Sequence, residues 1–463
     1  MLFRLNVTDL SIATNRGETA ELATDIVVHE FTRGRNLFRN TIVNFLGYSA
    51  PLLMAIVCIP ILIKALGDTG FGILTLAYVL LGYTSVLDLG MGRALTKTLA
   101  EQWNTSSHDA RHSASLIWTS LSLMFALGLA GMLGIILFTP LLVGRVLKVA
   151  PDMRLEAVHA FYWIAFSLPF VITTSGLRGI FEARQRFDIS SLLRILIGVL
   201  TFGAPLLVLP FSHGLVPVMG ALVAGRILTW ALHVLICVKM TPELVRHFDF
   251  RRSHIRPLLS FGGWVSINSL AGSLTLTLDR FIIAGVISAG AVTYYATPYE
   301  MITKLWLITG AFSGVLFPTF AALSSRNLQR ARMLYHKSCA YTLLALLPIT
   351  LCAAVFSKQI LTLWLGAEFA ARSYRVAELL SLGTFLLGMG AIPWTWLQGL
   401  GRSDIPAKLN LVELPPYIIS LWLMTRYFGI AGAAMAWGAR ALFDTGAMFL
   451  FANRLTNKLG VNG

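Results

Sequence analysis

The side chains of this sequence most able to do chemistry are charged residues that lie inside long apolar stretches. They are the cations Arg226, Arg280, Lys304 and Arg440 and the carboxylates Asp279, Glu300 and Glu413. An ionisable side chain within a membrane span is costly to bury, so it marks a functional position by default. An arginine can hold a phosphate group through two parallel hydrogen bonds, and a buried carboxylate can bind a proton or Na⁺.

The composition places these residues in a membrane protein. The chain has 463 residues, of which 56% are hydrophobic and 13% are charged, and its mean hydropathy is +0.72. A soluble domain carries roughly 25% charged residues. The length alone would allow about three soluble domains of ~150 residues each. Because the polar side chains are too few to cover three such surfaces, lipid is the expected solvent for most of the chain.

Twelve membrane-spanning helices are predicted from stretches of about 20 apolar residues. Seven stretches contain no Asp, Glu, Lys or Arg, and they cover residues 40–63, 69–87, 112–144, 157–177, 257–278, 338–357 and 379–401. Three longer apolar tracts must each fold back on themselves. Their breaks are predicted at residues 210–217, which contain two prolines and a glycine, at Gly285 and Gly290, and at residues 427–429.

The net charge of +15 is explained largely by membrane orientation. If the N-terminus lies in the cytoplasm, 25 of the 37 Lys and Arg fall on the cytoplasmic side, 8 fall outside and 4 fall within spans. Cytoplasmic loops carry such an excess of Lys and Arg. Both termini are therefore predicted to be cytoplasmic, and the basic pI does not indicate nucleic-acid binding. Residues 1–38 are predicted to form a polar cytoplasmic tail that is neither a signal peptide nor a span.

The chain is predicted to consist of two halves of six helices each. An N-lobe at residues 39–238 is followed by a basic cytoplasmic linker at 239–256, a C-lobe at 257–455 and a cytoplasmic tail at 456–463. The sixth helix contains Ala-Gly-Arg226-Ile-Leu, and the twelfth contains Gly-Ala-Arg440-Ala-Leu at a corresponding position. Because both halves begin in the cytoplasm, they should be related by a pseudo-two-fold axis along the membrane normal.

Four short motifs resemble those of a known family. They are Asp88-Leu-Gly-Met-Gly-Arg93-Ala-Leu, the stretch from Phe181 to Phe187, Leu278-Asp-Arg-Phe-Ile-Ile283, and the stretch from Phe428 to Ala436. Their order and spacing are similar to those of the polysaccharide transporters, or O-antigen flippases. These belong to the multidrug/oligosaccharidyl-lipid/polysaccharide (MOP) exporter superfamily, which also contains the MATE multidrug extruders and the lipid II flippase. The resemblance extends from about residue 36 to 455 and implies a MATE-like, V-shaped pair of six-helix lobes.

The resemblance also implies a function. A secondary transporter of this family would flip a polyprenyl-diphosphate-linked oligosaccharide to the outer leaflet of the bacterial cytoplasmic membrane by alternating access, for O-antigen, capsule or exopolysaccharide synthesis. Arg280, Lys304, Arg226 and Arg440 would bind the diphosphate, Tyr295, Tyr299 and Trp306 would stack on the glycan, and Asp279, Glu300 and Glu413 would bind the coupling proton or Na⁺. No catalytic residue, metal or cofactor is expected. Membrane lipids and polysaccharide polymerase or export proteins are the expected partners.

Structural interpretations of the same residues remain open. Glu300 and Lys304 are four positions apart, as are Arg440 and Asp444, so each pair could neutralise itself on one helix face. Arg226 has no acidic residue at helical spacing. Aromatic residues in membrane proteins commonly belong to interfacial belts.

Two other functions remain as alternatives. The first is a cation-coupled multidrug extruder of the same superfamily. The second is a membrane glycosyltransferase, polymerase or ligase, which the short outer loops without histidine disfavour. The sequence has no Gly-x-x-x-x-Gly-Lys-Ser/Thr motif, so ATP hydrolysis by this chain is not expected. Twelve rather than fourteen helices argue against the lipid II branch.

Overall fold

The computed structural model describes most of the chain. The backbone is described for residues 34–82, 88–103, 110–242, 244, 248–326 and 328–461. Side chains are described in the same ranges except at 34–50, 110, 257–271, 273, 324–326 and 459–461. Most of the predicted N-terminal tail, residues 1–33, lies outside the described residues. The first helix begins at Gly34, a few residues before the predicted end of that tail.

The described chain is all-α. The first part contains α1 (Gly34–Gly82), α2 (Met91–Trp103), α3 (Ala110–Leu141), α4 (Arg154–Ala183), α5 (Phe187–Val208) and α6 (Leu215–Met240). The second part contains α7 (Ile255–Val286), α8 (Ala289–Thr303), α9 (Trp306–Arg326), α10 (Leu328–Val355), α11 (Ser357–Leu365), α12 (Ala367–Gly399) and α13 (Asp404–Val461). We call α1–α6 the first half and α7–α13 the second half.

Nine segments within the described ranges are long and apolar enough to cross a membrane. Two of them, Pro51–Gly82 and Asp404–Lys458, each contain one non-helical glycine. Gly67 has φ 67° and ψ 175°, and Gly429 has φ 65° and ψ −147°. Only glycine adopts this backbone region readily. Each of these two segments is therefore a pair of helices joined at its glycine.

The predicted chain breaks are confirmed. Helix α5 ends at Val208 and α6 begins at Leu215, while α7 ends at Val286 and α8 begins at Ala289. The third predicted break, at residues 427–429, coincides with Gly429. A further break was not predicted.

That further break divides the predicted eighth span. Helix α8 ends at Thr303 and α9 begins at Trp306, so Lys304 stands between two helices. The amide of Leu305 donates to the carbonyl oxygen of Ile302 at 3.1 Å, which tightens the backbone into a turn. Apolar residues flank this turn on both sides, so the sequence pattern did not indicate it.

Helix α8 lies at the centre of the fold. Its side chains are almost all buried, and it packs against α1, α7, α12 and α13. Gly72 of α1 permits the closest approach, because a Cβ atom at that position would collide with the carbonyl oxygen of Ala289. Small residues serve this purpose where membrane helices meet. The two halves therefore share one apolar core around α8.

The outer surface of the bundle is apolar. Leu137, Phe211, Val315 and Leu363 are among the large hydrophobic side chains that project from it, and Leu363 is 92% exposed. Such a surface would be unstable in water and is suited to lipid tails. The exposure pattern agrees with a multi-pass membrane protein.

Candidate functional site

A cavity of about 320 Å³ lies between the two halves. The first half contributes Thr75, Tyr78 and Thr201 to its wall, and the second half contributes Arg280, Thr297 and Glu300. We call this space the central cavity. Its wall is mostly apolar, and one ion-paired group from α7 and α8 supplies its charge.

That charged group is a chain of three side chains. Arg280 Nη2 donates to Glu300 Oε1 at 2.8 Å, and Lys304 Nζ donates to Glu300 Oε2 at 3.0 Å. Glu300 and Lys304 therefore form the ion pair that was the alternative interpretation of their spacing. The side chain of Arg280 is only 3% exposed, whereas those of Glu300 and Lys304 are 45% and 41% exposed. Glu300 thus presents its carboxylate to the open side of the group.

Arg280 keeps an unused hydrogen-bond donor. Its Nε atom is buried and has no hydrogen-bond partner, and its guanidinium lies 4.8 Å from the centre of the Tyr299 ring. A buried donor without a partner carries a desolvation cost of about 1–3 kcal/mol.

Asp279 faces a different direction from its neighbour Arg280. Its Oδ2 accepts a hydrogen bond from the Tyr295 hydroxyl at 2.7 Å, and its Oδ1 accepts one from the Arg280 amide at 2.8 Å. Asp279 and Tyr295 are both fully buried. This contact fastens α7 to α8, and it places Tyr295 away from the cavity in which it was predicted to stack on a glycan.

Arg226 stands behind the opposite wall. Its Nη2 donates to Thr201 Oγ1 at 3.1 Å, and the Tyr78 hydroxyl donates to the Thr201 carbonyl oxygen at 3.0 Å. Thr201 and Tyr78 line the cavity, whereas Arg226 does not line it and contacts it only through its hydrogen bond to Thr201. No ion pair with Arg226 occurs among the side chains that the structure describes. Arg226 therefore adds positive charge to the wall of the first half.

Arg440 belongs to a separate buried group. Its Nε lies 3.2 Å from Glu413 Oε2, and both side chains are almost completely buried. Asp444, one turn further along α13, is also buried and interacts with Glu413. Glu413 and Arg440 lie on opposite sides of Gly429, so the kink in α13 brings them together. We call Glu413, Arg440 and Asp444 the α13 triad, and the structure does not bring it to the central cavity.

The predicted aromatic residues are mainly packing residues. Trp306 lies 6.1 Å from Trp437, ring centre to ring centre, and its indole nitrogen donates to the Thr384 carbonyl oxygen at 3.4 Å. Tyr299 is 5% exposed and lies beside Arg280. The aromatic rings on the cavity wall are instead those of Phe71 and Tyr78 from α1 and of Phe202 from α5.

Sequence reasoning missed a polar cluster that joins the two halves. The Tyr294 hydroxyl donates to Asp68 Oδ2, and Arg372 Nη1 donates to the Tyr294 hydroxyl oxygen at 2.8 Å. Thr293 Oγ1 donates to the Asp68 carbonyl oxygen at 2.7 Å. We call Asp68, Tyr294 and Arg372 the Asp68 cluster. Asp68 follows the Gly67 kink directly, but nothing in its local sequence indicates partners more than 200 positions away.

The first family motif has a structural role. Gly90 N donates to Asp88 Oδ1 at 2.8 Å, and Ser175 Oγ donates to Asp88 Oδ2 at 2.7 Å. Leu89 and Gly90 both have positive φ. Asp88 therefore holds the turn before α2 and ties it to α4, while Arg93 is exposed.

The fold is similar to those of solved membrane transporters. The chain superposes on an inward-facing MATE multidrug transporter of the MOP superfamily with a TM-score of 0.75, at 14% identity, covering 90% of this chain and 98% of the other. The lipid II flippase in an inward closed conformation gives a TM-score of 0.73 at 12% identity, covering 92% and 90%. At these identities the likeness concerns the fold alone.

The chain belongs to the polysaccharide biosynthesis protein family. The family model matches residues 37–324, which confirms the resemblance inferred from the motifs. The chain is 27% identical over 413 residues to a putative O-antigen transporter of Shigella flexneri, covering 88% of this chain and 96% of the relative. It is 25% identical over 219 residues to a probable low-salt glycan biosynthesis flippase of Haloferax volcanii, covering 47% and 44%. These relatives are transporters, so the prediction that the chain is not an enzyme is confirmed.

Proposed function

We propose that this protein is a secondary transporter that flips a polyprenyl-diphosphate-linked oligosaccharide from the cytoplasmic to the outer leaflet by alternating access. The observation that carries the proposal is the cavity between the two halves, with the buried, incompletely hydrogen-bonded Arg280 in its wall. The names of the related O-antigen transporter and glycan flippase support the same substrate class. The product would serve surface polysaccharide synthesis in a bacterium.

The membrane topology in this proposal has twelve spans. The nine apolar segments become eleven when Pro51–Gly82 and Asp404–Lys458 are each divided at their glycine, and α7 supplies the twelfth. We assign six spans to an N-lobe at residues 39–238 and six to a C-lobe at 257–455, related by a pseudo-two-fold axis. Both termini and the 239–256 linker lie in the cytoplasm, and the membrane is the bacterial inner membrane.

In this proposal Arg280 and Lys304 bind the diphosphate. Glu300 contacts both cations, so a diphosphate would compete with the Glu300 carboxylate for the same donors. Such an exchange keeps the cations paired in both states, which avoids the cost of an unpaired buried charge. Arg226, which donates a hydrogen bond to the lining residue Thr201, adds a further positive charge near the cavity. Tyr78 is better placed than Tyr295 or Trp306 to contact the glycan, because it lines the cavity.

We assign ion coupling to the α13 triad. It contains two carboxyl groups, Glu413 and Asp444, and one guanidinium, that of Arg440, all buried. A surplus negative charge in such surroundings is expensive, and one bound proton neutralises it. Asp279 is less suited to bind an ion, because both of its oxygens already accept hydrogen bonds. Arg440, predicted from the sequence to bind the diphosphate, is here a counter-charge to the coupling carboxylates.

The charge of the central cavity distinguishes the glycan-lipid flippase from the multidrug alternative. Among the lining residues and the side chains that contact them, Arg280, Lys304 and Arg226 carry three positive charges, against two negative charges on Glu300 and Asp279. This small positive excess favours an anionic substrate over a cationic drug. Proteoliposomes containing the purified chain test the choice directly. We expect flipping of a fluorescent polyprenyl-diphosphate glycan and no accumulation of a cationic dye such as ethidium. Dye transport without glycan flipping would overturn the proposal.

A further inference from the structure

A second cavity, of about 350 Å³, lies where the segment between α3 and α4 meets the start of α8. Arg145, Lys148 and Arg154 line it from the first half. Ser288 and Gly290, at the N-terminus of α8, line it from the second half. We call this space the basic cavity. It shares no lining residue with the central cavity.

The backbone around Lys148 fixes the floor of the basic cavity. The Lys148 amide donates to the Ala284 carbonyl oxygen at 3.0 Å, and the Ala289 amide donates to the Lys148 carbonyl oxygen at 3.2 Å. Lys148 Nζ donates to the Val286 carbonyl oxygen at 2.5 Å. These bonds join the loop of the first half to the turn between α7 and α8. The cavity is therefore built on a fixed contact between the two halves.

The cations of this cavity are unexplained by topology. The proposed orientation places residues 145–154 on the outer side of the membrane, where loops carry fewer Lys and Arg than on the cytoplasmic side. Arg145, Lys148 and Arg154 make no ion pair with any side chain that the structure describes. Two acidic residues lie nearby in sequence: Asp152 is exposed, and Glu156, in the first turn of α4, accepts a hydrogen bond from the Leu215 amide at 3.2 Å. The positive end of the α8 helix dipole adds to the excess charge.

We infer that the basic cavity binds a phosphate group, either of a lipid headgroup in the outer leaflet or of a free phosphate ion. Three exposed cations around one space can bind the oxygen atoms of a phosphate group. A ligand there contacts both halves at once, so its binding stabilises their contact at this end of the molecule. The inference depends on the proposed topology only for the leaflet from which the ligand comes.

The surroundings favour a lipid-borne phosphate. Val146 and Leu155, which lie next to the cations in sequence, are 46% and 68% exposed. Exposed apolar side chains beside cations are typical of a position at the boundary between lipid tails and headgroups. A headgroup phosphate at that boundary can enter the cavity while its acyl chains remain on the apolar surface.

Thermal unfolding of the full-length purified protein tests this inference. The probes are phosphatidylglycerol in mixed micelles and inorganic phosphate in solution, each titrated separately. The test variant carries Arg145→Gln, Lys148→Gln and Arg154→Gln. The matched control carries Lys64→Gln, Lys358→Gln and Arg375→Gln, which remove the same charge from the same side and do not line the cavity.

We expect phosphatidylglycerol to raise the unfolding temperature of the wild type and of the control. The test variant should need at least about tenfold more lipid for the same shift, because it lacks the three cations that would contact the phosphate. A response to inorganic phosphate alone would assign the site to a soluble ion. A test variant that binds like the control, or a wild type that binds neither probe, would overturn the inference.

The flipping activity separates this inference from the proposed function. Arg280→Gln should lower the rate of glycan flipping by roughly 10- to 100-fold and keep the response to phosphatidylglycerol, because Arg280 does not line the basic cavity. If Arg280→Gln flips normally but the basic cavity binds lipid as expected, the proposed substrate site is wrong and the phosphate site stands. If Arg280→Gln flips slowly but the basic cavity does not bind lipid, the phosphate site is wrong and the proposed substrate site stands.

Discussion

Glu300 Oε1 lies 2.8 Å from Arg280 Nη2, although the two residues are 20 positions apart and belong to different helices. The contact exists because the chain reverses between α7 and α8, so that the two helices pack side by side. The buried Arg280 is thereby ion-paired, and both partners line the cavity between the two halves. This pair is the point at which the proposed diphosphate would bind.

The competition between Glu300 and the substrate can be measured with Glu300→Gln. Removing the negative charge frees Arg280 and Lys304, so we expect tighter binding of a polyprenyl diphosphate and slower flipping, because release is slowed. Binding is measured by fluorescence titration with a labelled short-chain polyprenyl diphosphate. Glu378→Gln, on the exposed face of α12, is the matched control and should change neither quantity. Weaker binding by Glu300→Gln would contradict the exchange mechanism.

The Tyr295–Asp279 hydrogen bond is expected to stabilise the fold without touching the substrate. Tyr295→Phe leaves the buried Asp279 carboxylate with one donor fewer, which should cost about 1–3 kcal/mol of stability. A lower unfolding temperature together with unchanged substrate affinity is the expected result. A changed affinity at unchanged stability would instead place Tyr295 in the binding site.

Coupling through the α13 triad predicts a specific effect of Asp444→Asn. This variant leaves one carboxyl group, Glu413, opposite Arg440, so no proton is needed for neutrality. We expect an imposed proton gradient to accelerate flipping by the wild type and to have no effect on the variant. Flipping is followed in proteoliposomes with and without an acidic exterior. An undiminished response in Asp444→Asn would exclude the triad as the coupling site.

The Asp68 cluster is expected to hold the two halves together at one end of the central cavity. Arg372→Gln removes the donor to the Tyr294 hydroxyl and the ion pair with Asp68, whose atoms lie 3.6 Å apart. We expect a cysteine placed at Thr297, in the cavity wall, to react faster with a membrane-impermeant thiol reagent added from outside. The four native cysteines are replaced in this background.

The control for the Asp68 experiment is Arg375→Gln, which removes a neighbouring exposed cation of the same helix. It should leave the labelling rate of the cysteine at position 297 unchanged. Equal labelling rates in the Arg372 and Arg375 variants would show that the cluster does not close this end of the cavity.

Local spacing allowed part of the site to be predicted. Glu300 and Lys304 are one helical turn apart, and this spacing indicated that they could form the ion pair that the structure contains. The chain breaks at residues 210–217 and at Gly429 followed from prolines and glycines in apolar tracts. Such features depend on neighbours in sequence, so the sequence pattern is sufficient to indicate them.

Other contacts depend on how the helices pack, and no local pattern indicates them. Arg440 has Asp444 at helical spacing, yet its ion pair is with Glu413 across the Gly429 kink. Tyr294 and Asp68 are 226 positions apart. The burial of Tyr295 likewise follows from the position of α8 at the centre of the core. Helical spacing lists the possible partners on one helix, whereas tertiary packing decides which groups meet.

The central claim is that Arg280 binds the diphosphate of the substrate in the cavity between the two halves. It is tested most directly by the rate of glycan-lipid flipping in proteoliposomes for Arg280→Gln and Arg280→Lys, with Arg375→Gln as the charge-matched control. We predict a loss of roughly 10- to 100-fold for Arg280→Gln, equivalent to one or two charged hydrogen bonds, partial recovery in Arg280→Lys, and a wild-type rate in the control. A wild-type rate for correctly inserted Arg280→Gln would contradict the claim.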